Sequence, residues 1–404
     1  MNNIQQVRLL GQQIWLDSLS RSMIIKGELS EKMRQGVCGV TTNPAIFLSA
    51  IKNDELYHTQ MRTLKAEGKT AKEIYETMAC ADVQAACDIF LMEYQYSNGN
   101  AGFVSIEVDP ALANDEDGTV FEARRLQQKI NRPNVMIKIP ATAAGIKAVQ
   151  RLAGECHINT TLIFSPETVY QIENAFYAGS PQSHRRLVAS VFLSRIDTAI
   201  DNQLPAELQG KTAVAMAQSL YQEMQSHTIP ATLINAWQNP EPQDDEEDGC
   251  CGCGGHHHHH DDEHECCGGG GCGGRHHHDD DEHECCGACD EHHHHFTPTY
   301  QAGTPLINLL WASTATKNPA YSDTLYIDNL IGKNTVNTLP EKAMNAFLDH
   351  GKVELINSNN TQDILNKVAQ HADLTVVAND LQIKGLQQFQ VAFNEILAFI
   401  EAFE

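Results

Sequence analysis

One lysine in this sequence occupies a place where a charge is unfavourable. Lys138 lies near the end of residues 135–140, a run of branched apolar residues typical of a strand buried on both faces in a parallel sheet. Desolvation disfavours the ammonium form there, so the neutral, nucleophilic amine becomes accessible near neutral pH. This placement predicts a Schiff base between Lys138 and a carbonyl substrate. The alternative is a lysine whose stem is packed at the strand end and whose head lies in water.

Polar side chains also stand near the ends of the other early apolar runs. Each has a plainer interpretation, since Asp17 could cap a helix, Thr161 could be an ordinary β-branched strand residue, and Arg195 could pair with Asp197. Their recurrence on six successive runs favours a shared site. The candidates, in chain order, are Asp17, Asn43, Glu107, Lys138, Thr161, Ser190 and Arg195.

The elements that would position these residues alternate along the chain. Eight short apolar runs predict buried strands, and between most of them apolar residues recur at helical spacing. The predicted strands are 14–17, 37–42, 102–110, 135–142, 157–165, 187–196, 306–312 and 325–328. The predicted helices are 4–14, 30–35 with Ser30 as cap, 54–66, 70–94, 118–129, 145–153, 166–177, 206–226, 340–350, 361–371 and 380–403.

This alternation favours an α/β fold, a closed (β/α)₈ TIM barrel forming a single domain. An open doubly wound sheet is the alternative, but no Gly-x-Gly-x-x-Gly follows any strand. In a closed barrel the carboxyl ends of all strands meet at one mouth, where catalytic groups are expected. The predicted barrel consists of residues 1–239 and 296–404, and a low-complexity insert, 240–295, precedes the seventh strand.

Charge is distributed unevenly over the 404 residues. Segment 241–295 has 17 acidic residues and one basic residue, Arg275, and so accounts for −16 of the net charge of −24. The remaining −8 is typical of a soluble surface and argues against nucleic acid or an anionic membrane as partner. No signal peptide and no apolar run of membrane-spanning length is visible, so we expect a cytoplasmic protein. Cys38, Cys80, Cys87 and Cys156 are expected to be buried, reduced thiols.

Seven segments of the sequence resemble the signature segments of the transaldolase family, in its bacterial branch. The resemblance covers essentially everything outside the insert. The segments are IWLD at 14–17, GVTTNPAIF at 39–47, VSIEVDP at 104–110, IKIPAT at 137–142, INTTLIFS at 158–165, WASTATKNP at 311–319 and TVNTLP at 335–340.

The resemblance implies a class I, metal-independent transferase of the pentose phosphate pathway that moves a dihydroxyacetone unit between sugar phosphates. Sedoheptulose 7-phosphate and glyceraldehyde 3-phosphate would give erythrose 4-phosphate and fructose 6-phosphate, with no cofactor for catalysis. By motif, Lys138 matches the Schiff-base lysine, Asp17 the general acid/base, and Glu107 with Thr161 the pair that holds and activates water.

The resemblance also implies which residues bind the substrate. Asn43 and Ser190 match contacts to substrate hydroxyls, and Arg195 matches the phosphate-binding arginine. Lys317 departs from the pattern, since it stands where other branches have a second phosphate-binding arginine. A lysine keeps the charge there and loses the bidentate fork.

The insert has the composition of a metal-binding segment. Residues 250–295 contain nine Cys and fourteen His, and the octet 261–268 recurs at 280–287. These ligands suit zinc, nickel or copper, although the spacing matches no known finger and an inert spacer is the alternative. We expect disorder without metal. The ligand candidates within the repeats are His264, Cys266, Cys267, His283, Cys285 and Cys286.

The position of the insert, between a helix and the following strand, predicts that it lies on the face opposite the active site and takes no part in catalysis. Two other functions stay open at this stage. One is a relative that only cleaves fructose 6-phosphate, and the other is a metal-buffering protein that uses the barrel as a carrier. A metal-dependent aldolase is disfavoured, because the lysine makes a Lewis acid unnecessary.

Overall fold

The computed structural model describes residues 1–181, 184–229, 231–238 and 303–403. Within these ranges, eight parallel strands pair in chain order, and β8 pairs with β1 to close the barrel. The strands are β1 Gln13–Leu16, β2 Gly39–Val40, β3 Phe103–Glu107, β4 Val135–Pro140, β5 His157–Ile163, β6 Leu187–Phe192, β7 Ile307–Ala312 and β8 Thr335–Leu339. The predicted (β/α)₈ barrel is confirmed.

Helices precede β1 and follow every strand. Those up to β4 are α1 Asn3–Leu9, α2 Arg21–Ile25, α3 Glu28–Arg34, α4 Pro44–Asn53, α5 Leu56–Ala66, α6 Ala71–Tyr96 and α7 Glu116–Ile130. The later ones are α8 Ala143–Leu152, α9 Pro166–Ala178, α10 Ser194–Ile200, α11 Thr212–Met224, α12 Ala231–Gln238, α13 Leu325–Asp328, α14 Glu341–His350, α15 Thr361–Val368 and α16 Leu374–Ala402. Short 3₁₀ turns lie at Pro110–Leu112 and Asp201–Gln203.

The strands that carry the site are buried on both faces. Every residue of β4, β5 and β6 is buried, including Lys138. Helices cover the outside of the sheet, and side chains of the strands fill the inside of the barrel. Register fixes which side chains are neighbours across strands. Glu107 pairs with Lys138, and Lys138 pairs with Asn159. A carboxylate and an amine on adjacent strands therefore lie side by side.

The prediction for the eighth strand was wrong. Leu325–Asp328 is helix α13, and β8 comes later, at Thr335–Leu339. A run of three apolar residues cannot be assigned by periodicity, and here the hydroxyl of Thr324 donates to the Asp328 carboxylate, 2.7 Å away, across one helical turn. Strand β8 carries a central asparagine, Asn337, which weakens its strand pattern.

Several helix starts also differ from the expectation, and the largest shifts, of six residues, are at α11 and α16. Ser30 lies inside α3, which begins after Gly27, a residue with φ of 75° that favours glycine. The capping serine of this region is Ser20, whose hydroxyl accepts from the backbone N–H of Met23 at the start of α2. The final helix, α16, begins six residues earlier than residue 380 and has 29 residues.

Helix α16 packs against the carboxyl end of the barrel. The amide of Gln382 donates to the backbone carbonyl of Ala141 at 2.8 Å, just past β4. The Cα of Gly385 lies so close to Leu162 that a Cβ there would meet its side chain at 2.8 Å. One turn further on, Phe389 reaches the lysine of β4. The last helix of the chain thus covers part of the mouth.

Residues Met1–Asn239 and Thr297–Glu404 form one compact unit. The predicted insert, 240–295, lies outside the described residues, as do its six ligand candidates His264, Cys266, Cys267, His283, Cys285 and Cys286. Within the ranges that the structure describes, no three His, Cys, Asp or Glu side chains form a group that could hold a metal ion. Among the helices that the structure describes, none combines the length and the apolar character needed to cross a membrane.

Candidate active site

Lys138 is an enclosed amine. Its side chain is 5% exposed, and its Nζ donates to the backbone carbonyl of Thr42 at 3.0 Å. The same nitrogen lies 3.8 Å from a carboxylate oxygen of Glu107 and 6.0 Å from the ring centroid of Phe389. The alternative in which the head of this lysine lies in bulk water is therefore wrong.

Glu107 is a carboxyl with little solvation. Its side chain is 5% exposed, and neither oxygen has a hydrogen-bond partner among the described residues. Burial raises the pKa of Glu107 to about 7, an effect that Lys138 opposes and the Asp17 charge reinforces. A carboxyl with this pKa exists in both protonation states near neutral pH, as an acid/base group requires.

Thr161 is a second buried group with unused hydrogen-bonding capacity. It is fully buried, and its hydroxyl has no partner within the described ranges. It precedes Leu162, which has φ of 59°, at a shift of register between β5 and β6. Backbone strain of this kind recurs at functional sites, and Thr161 lies directly beside it.

Asp17 follows β1 and is held by a threonine from the next strand. The hydroxyl of Thr41 donates to Asp17 Oδ1 at 2.7 Å, and the backbone N–H of Asp17 donates to Leu339 of β8. Burial raises the pKa of Asp17, whereas Lys138 and the Thr41 hydroxyl lower it. Asp17 does not cap α2, because Ser20 does.

A cavity of about 200 Å³ at the carboxyl end of the barrel brings most of the predicted residues together. The predicted residues that line it are Asp17, Asn43, Lys138, Ser190, Arg195 and Lys317. Glu107 and Thr161 are not part of the described lining, and Glu107 instead contacts the lysine from the adjacent strand. The predicted residues therefore fall into two groups. Six line the cavity and can face a substrate, whereas Glu107 and Thr161 lie outside the lining.

The hydroxyl-binding candidates are already oriented by the fold. Asn43 caps α4, since its Oδ1 accepts from the N–H of Ile46 at 3.1 Å, so its amide N–H₂ can face a ligand. The hydroxyl of Ser190 donates to Asn159 Oδ1 at 2.7 Å. Ser190 therefore retains only acceptor capacity toward a substrate hydroxyl.

Two cations lie at the same cavity. Arg195 lies with its guanidinium carbon 5.2 Å from the Phe192 ring centroid, and burial lowers its pKa. It does not pair with Asp197, whose buried carboxylate accepts from the Tyr326 hydroxyl and the Ala213 N–H. Lys317 is exposed on the loop after β7 and also borders the cavity. An anion at the mouth would meet both charges.

Known proteins of one family resemble this chain along almost its whole length. Residues 14–400 match the family described as Transaldolase/Fructose-6-phosphate aldolase. The chain belongs to this family. A transaldolase of Neisseria gonorrhoeae is 39% identical over 98% of this chain and 99% of its own length. Transaldolase 2 of Nostoc sp. is 32% identical, with 99% and 97% covered, and transaldolase 1 of Streptomyces avermitilis is 33% identical, with 98% and 94% covered. The chain is thus an enzyme, a transferase of the transaldolase type.

Several residues of this transaldolase site were not predicted from the sequence. Phe389 comes from α16, 251 positions after Lys138, and no local pattern connects them. Thr338 lies in β8, but the eighth strand was predicted at residues 325–328, so Thr338 was not expected at the mouth. Thr41 and Phe192 stand next to predicted positions, within runs where β-branched and aromatic residues are ordinary, and only their contacts distinguish them.

Proposed function

We propose that this enzyme transfers a dihydroxyacetone unit between sugar phosphates through a Schiff base on Lys138. The observation that carries this proposal is the enclosed amine, which lies 3.8 Å from Glu107 and lines an open cavity together with Asp17, both acids having a raised pKa. Catalysis of this kind needs no cofactor, because the iminium itself accepts the electron pair released when a carbon–carbon bond breaks. The substrates are sugar phosphates, and the reaction belongs to the pentose phosphate pathway.

The first half-reaction joins the donor ketose to the enzyme. Neutral Lys138 attacks the ketone carbon, and the carbinolamine loses its oxygen as water to give the iminium. Glu107 supplies and removes the protons that this exchange requires. Its oxygens and the hydroxyl of Thr161, which have no hydrogen-bond partner in the described part of the chain, provide the hydrogen bonds that hold the departing or attacking water.

The second step breaks the bond between the third and fourth substrate carbons. The carboxylate of Asp17 takes the proton of the hydroxyl on the fourth carbon, the aldehyde leaves, and the electron pair moves into the iminium. An aldose acceptor then reverses this step, and Asp17 returns the proton. Asn43 and Ser190 orient the substrate hydroxyls, while Arg195 and Lys317 hold the phosphate and fix the reach of the sugar chain.

A coupled assay tests transfer directly. Fructose 6-phosphate is supplied with and without erythrose 4-phosphate, and release of glyceraldehyde 3-phosphate is followed. We expect multiple turnovers only when the acceptor is present. Equal steady-state rates in both assays would show simple cleavage of fructose 6-phosphate and contradict transfer.

We expect Glu107→Gln to slow imine formation and hydrolysis by about 10²–10⁴-fold, because the general acid/base is lost. Wild-type imine formation should show an inflection near pH 7 that the variant lacks, since burial raises the pKa of Glu107 to about 7. Rapid-quench borohydride trapping across the pH range measures both. An unchanged inflection in the variant would assign it to another group.

The same carboxyl makes stability depend on pH. Folded Glu107 keeps its proton until about pH 7, whereas the unfolded residue releases it near 4.5. Its contribution to the free energy of unfolding is therefore complete below pH 4.5 and is lost as pH rises through 7. Glu107→Gln should raise the Tm more at pH 8 than at pH 4.5.

We expect Arg195→Met to raise KM for fructose 6-phosphate by about 10–100-fold, because a charge-assisted phosphate contact is lost. With fructose, which has no phosphate, kcat/KM of the variant should equal that of the wild type. Arg195→Lys should fall between the two, since it keeps the charge and loses the planar fork. An equal loss with fructose would mean that Arg195 acts elsewhere than on the phosphate.

Association with a transition metal is a separate proposal for the segment 240–295. It rests on the nine Cys and fourteen His of residues 250–295 alone. Calorimetric titration with zinc or nickel should show tight binding by the whole chain and none by a variant that lacks residues 244–295. Equal binding by both proteins would contradict it, and turnover should not respond to chelators in either.

A further inference from the structure

Three side chains on three adjacent strands form a chain of hydrogen bonds at the edge of the cavity. Asp17 follows β1, Thr41 follows β2, and Thr338 lies in β8, which pairs with β1. Thr41 Oγ1 donates to Asp17 Oδ1 at 2.7 Å and lies 2.6 Å from Thr338 Oγ1. Both threonines are buried and both line the cavity.

The backbone fixes these three positions. The N–H of Asp17 donates to the carbonyl of Leu339, and the N–H of Thr41 donates to the carbonyl of Leu16, each at 2.9 Å. Both bonds continue the strand pairing by one residue at the mouth. The three side-chain oxygens are therefore held by sheet geometry, which is more rigid than a loop.

The number of hydrogens on each side chain determines the direction of these hydrogen bonds. A threonine hydroxyl has one hydrogen and can accept from other donors, whereas a carboxylate can only accept. When Asp17 is ionised, the Thr41 hydrogen must point at Oδ1. Thr338 must then be the donor in its contact with Thr41.

We propose that Thr41 and Thr338 are positioning residues, a hydroxyl relay that fixes the orientation of Asp17 and adjusts its basicity for carbon–carbon bond cleavage. This inference rests on the proposed function, in which Asp17 takes the substrate proton. If the proton is held on Oδ1, rotation of the two hydroxyl hydrogens reverses the relay, so that Asp17 donates to Thr41 and Thr41 to Thr338. Each threonine keeps one hydrogen in both directions.

Other charges also act on Asp17. Lys138 of β4 lowers the pKa of Asp17, the charge of Asp17 raises the pKa of Glu107 of β3, and Arg195 and Lys317 border the same cavity. The relay differs from these groups because it contacts Asp17 directly and carries no charge. Its removal therefore changes the acid/base behaviour of Asp17 without removing a charge from the site.

The test is the pH dependence of the cleavage step in a single turnover with fructose 6-phosphate, read as release of glyceraldehyde 3-phosphate. Thr41→Val removes a hydrogen bond to the charged form of Asp17. The acidic limb, the low-pH side of the profile of cleavage rate against pH, should therefore shift to higher pH by about one unit. Thr338→Val should move it in the same direction by roughly a few tenths of a unit. Thr41→Ser and Thr338→Ser should restore the wild-type limb.

Thr314→Val is the matched control. Thr314 is also a buried threonine near the mouth, and its hydroxyl donates to the backbone carbonyl of Thr338 rather than to the relay. It should lower stability without moving the limb. If Thr41→Val has the wild-type limb, or if Thr314→Val moves the limb equally, the relay is contradicted. Failure of the proposed function would appear differently, as a wild-type enzyme without a borohydride adduct or an Asp17→Asn variant that cleaves normally.

Discussion

Lys138→Ala should have no measurable transaldolase activity, at least about 10⁴-fold below the wild type. Among the described residues that line the cavity, the other lysine is Lys317, which lies on the exposed loop after β7. The measurement is the coupled assay with fructose 6-phosphate and erythrose 4-phosphate.

The fold should survive this substitution. Lys138 lowers the pKa of both Glu107 and Asp17, so without the lysine both buried carboxyls become neutral more readily. Lys147→Ala on α8 is the matched control, because Lys147 is exposed, and its activity and Tm should equal those of the wild type. Residual turnover by Lys138→Ala above about one part in a thousand would contradict the covalent mechanism.

Asp17→Asn should form the imine at nearly the wild-type rate and cleave it about 10²–10⁴-fold more slowly. Asparagine has the same shape, and its Oδ1 can still accept from Thr41, but it cannot take the substrate proton. Borohydride trapping gives the imine, and single-turnover release of glyceraldehyde 3-phosphate gives the cleavage rate.

An unproductive enzyme-bound imine should therefore accumulate in this variant. Asp88→Asn provides the control, since Asp88 lies on the outer helix α6 and pairs with Arg132. It should leave both steps unchanged. Equal slowing of imine formation and cleavage by Asp17→Asn would mean that Asp17 acts on the imine or on the fold rather than on the substrate hydroxyl.

Much of this site was predictable because chemistry and strand pattern coincide. In β3 and β4 a charged residue stands in an apolar run. Because burying a charge is unfavourable, a charge at such a position suggests a function. Since all strands of a closed barrel end at one mouth, positions far apart in sequence could be assigned to one cavity. The structure brings Asp17, Asn43, Lys138, Ser190, Arg195 and Lys317 to it.

The wrong position of the eighth strand and the unpredicted place of Phe389 also have physical causes. Strand β8 is less apolar than the segment that forms α13, so hydrophobicity selected the wrong run. Helix α16 was predicted, but its packing against the mouth depends on tertiary contacts such as that of Gly385 with Leu162. The place of Phe389 beside the lysine could not be derived from helical periodicity.

In the proposed mechanism the nitrogen of Lys138 bonds covalently to the substrate, and mass mapping of the reduced adduct detects that bond. Wild-type enzyme is incubated with fructose 6-phosphate, reduced with borohydride and digested. We expect one modified peptide, which contains residues 135–140 and carries a reduced dihydroxyacetone unit on Lys138. An adduct on a different lysine, or full turnover without any adduct, would contradict it.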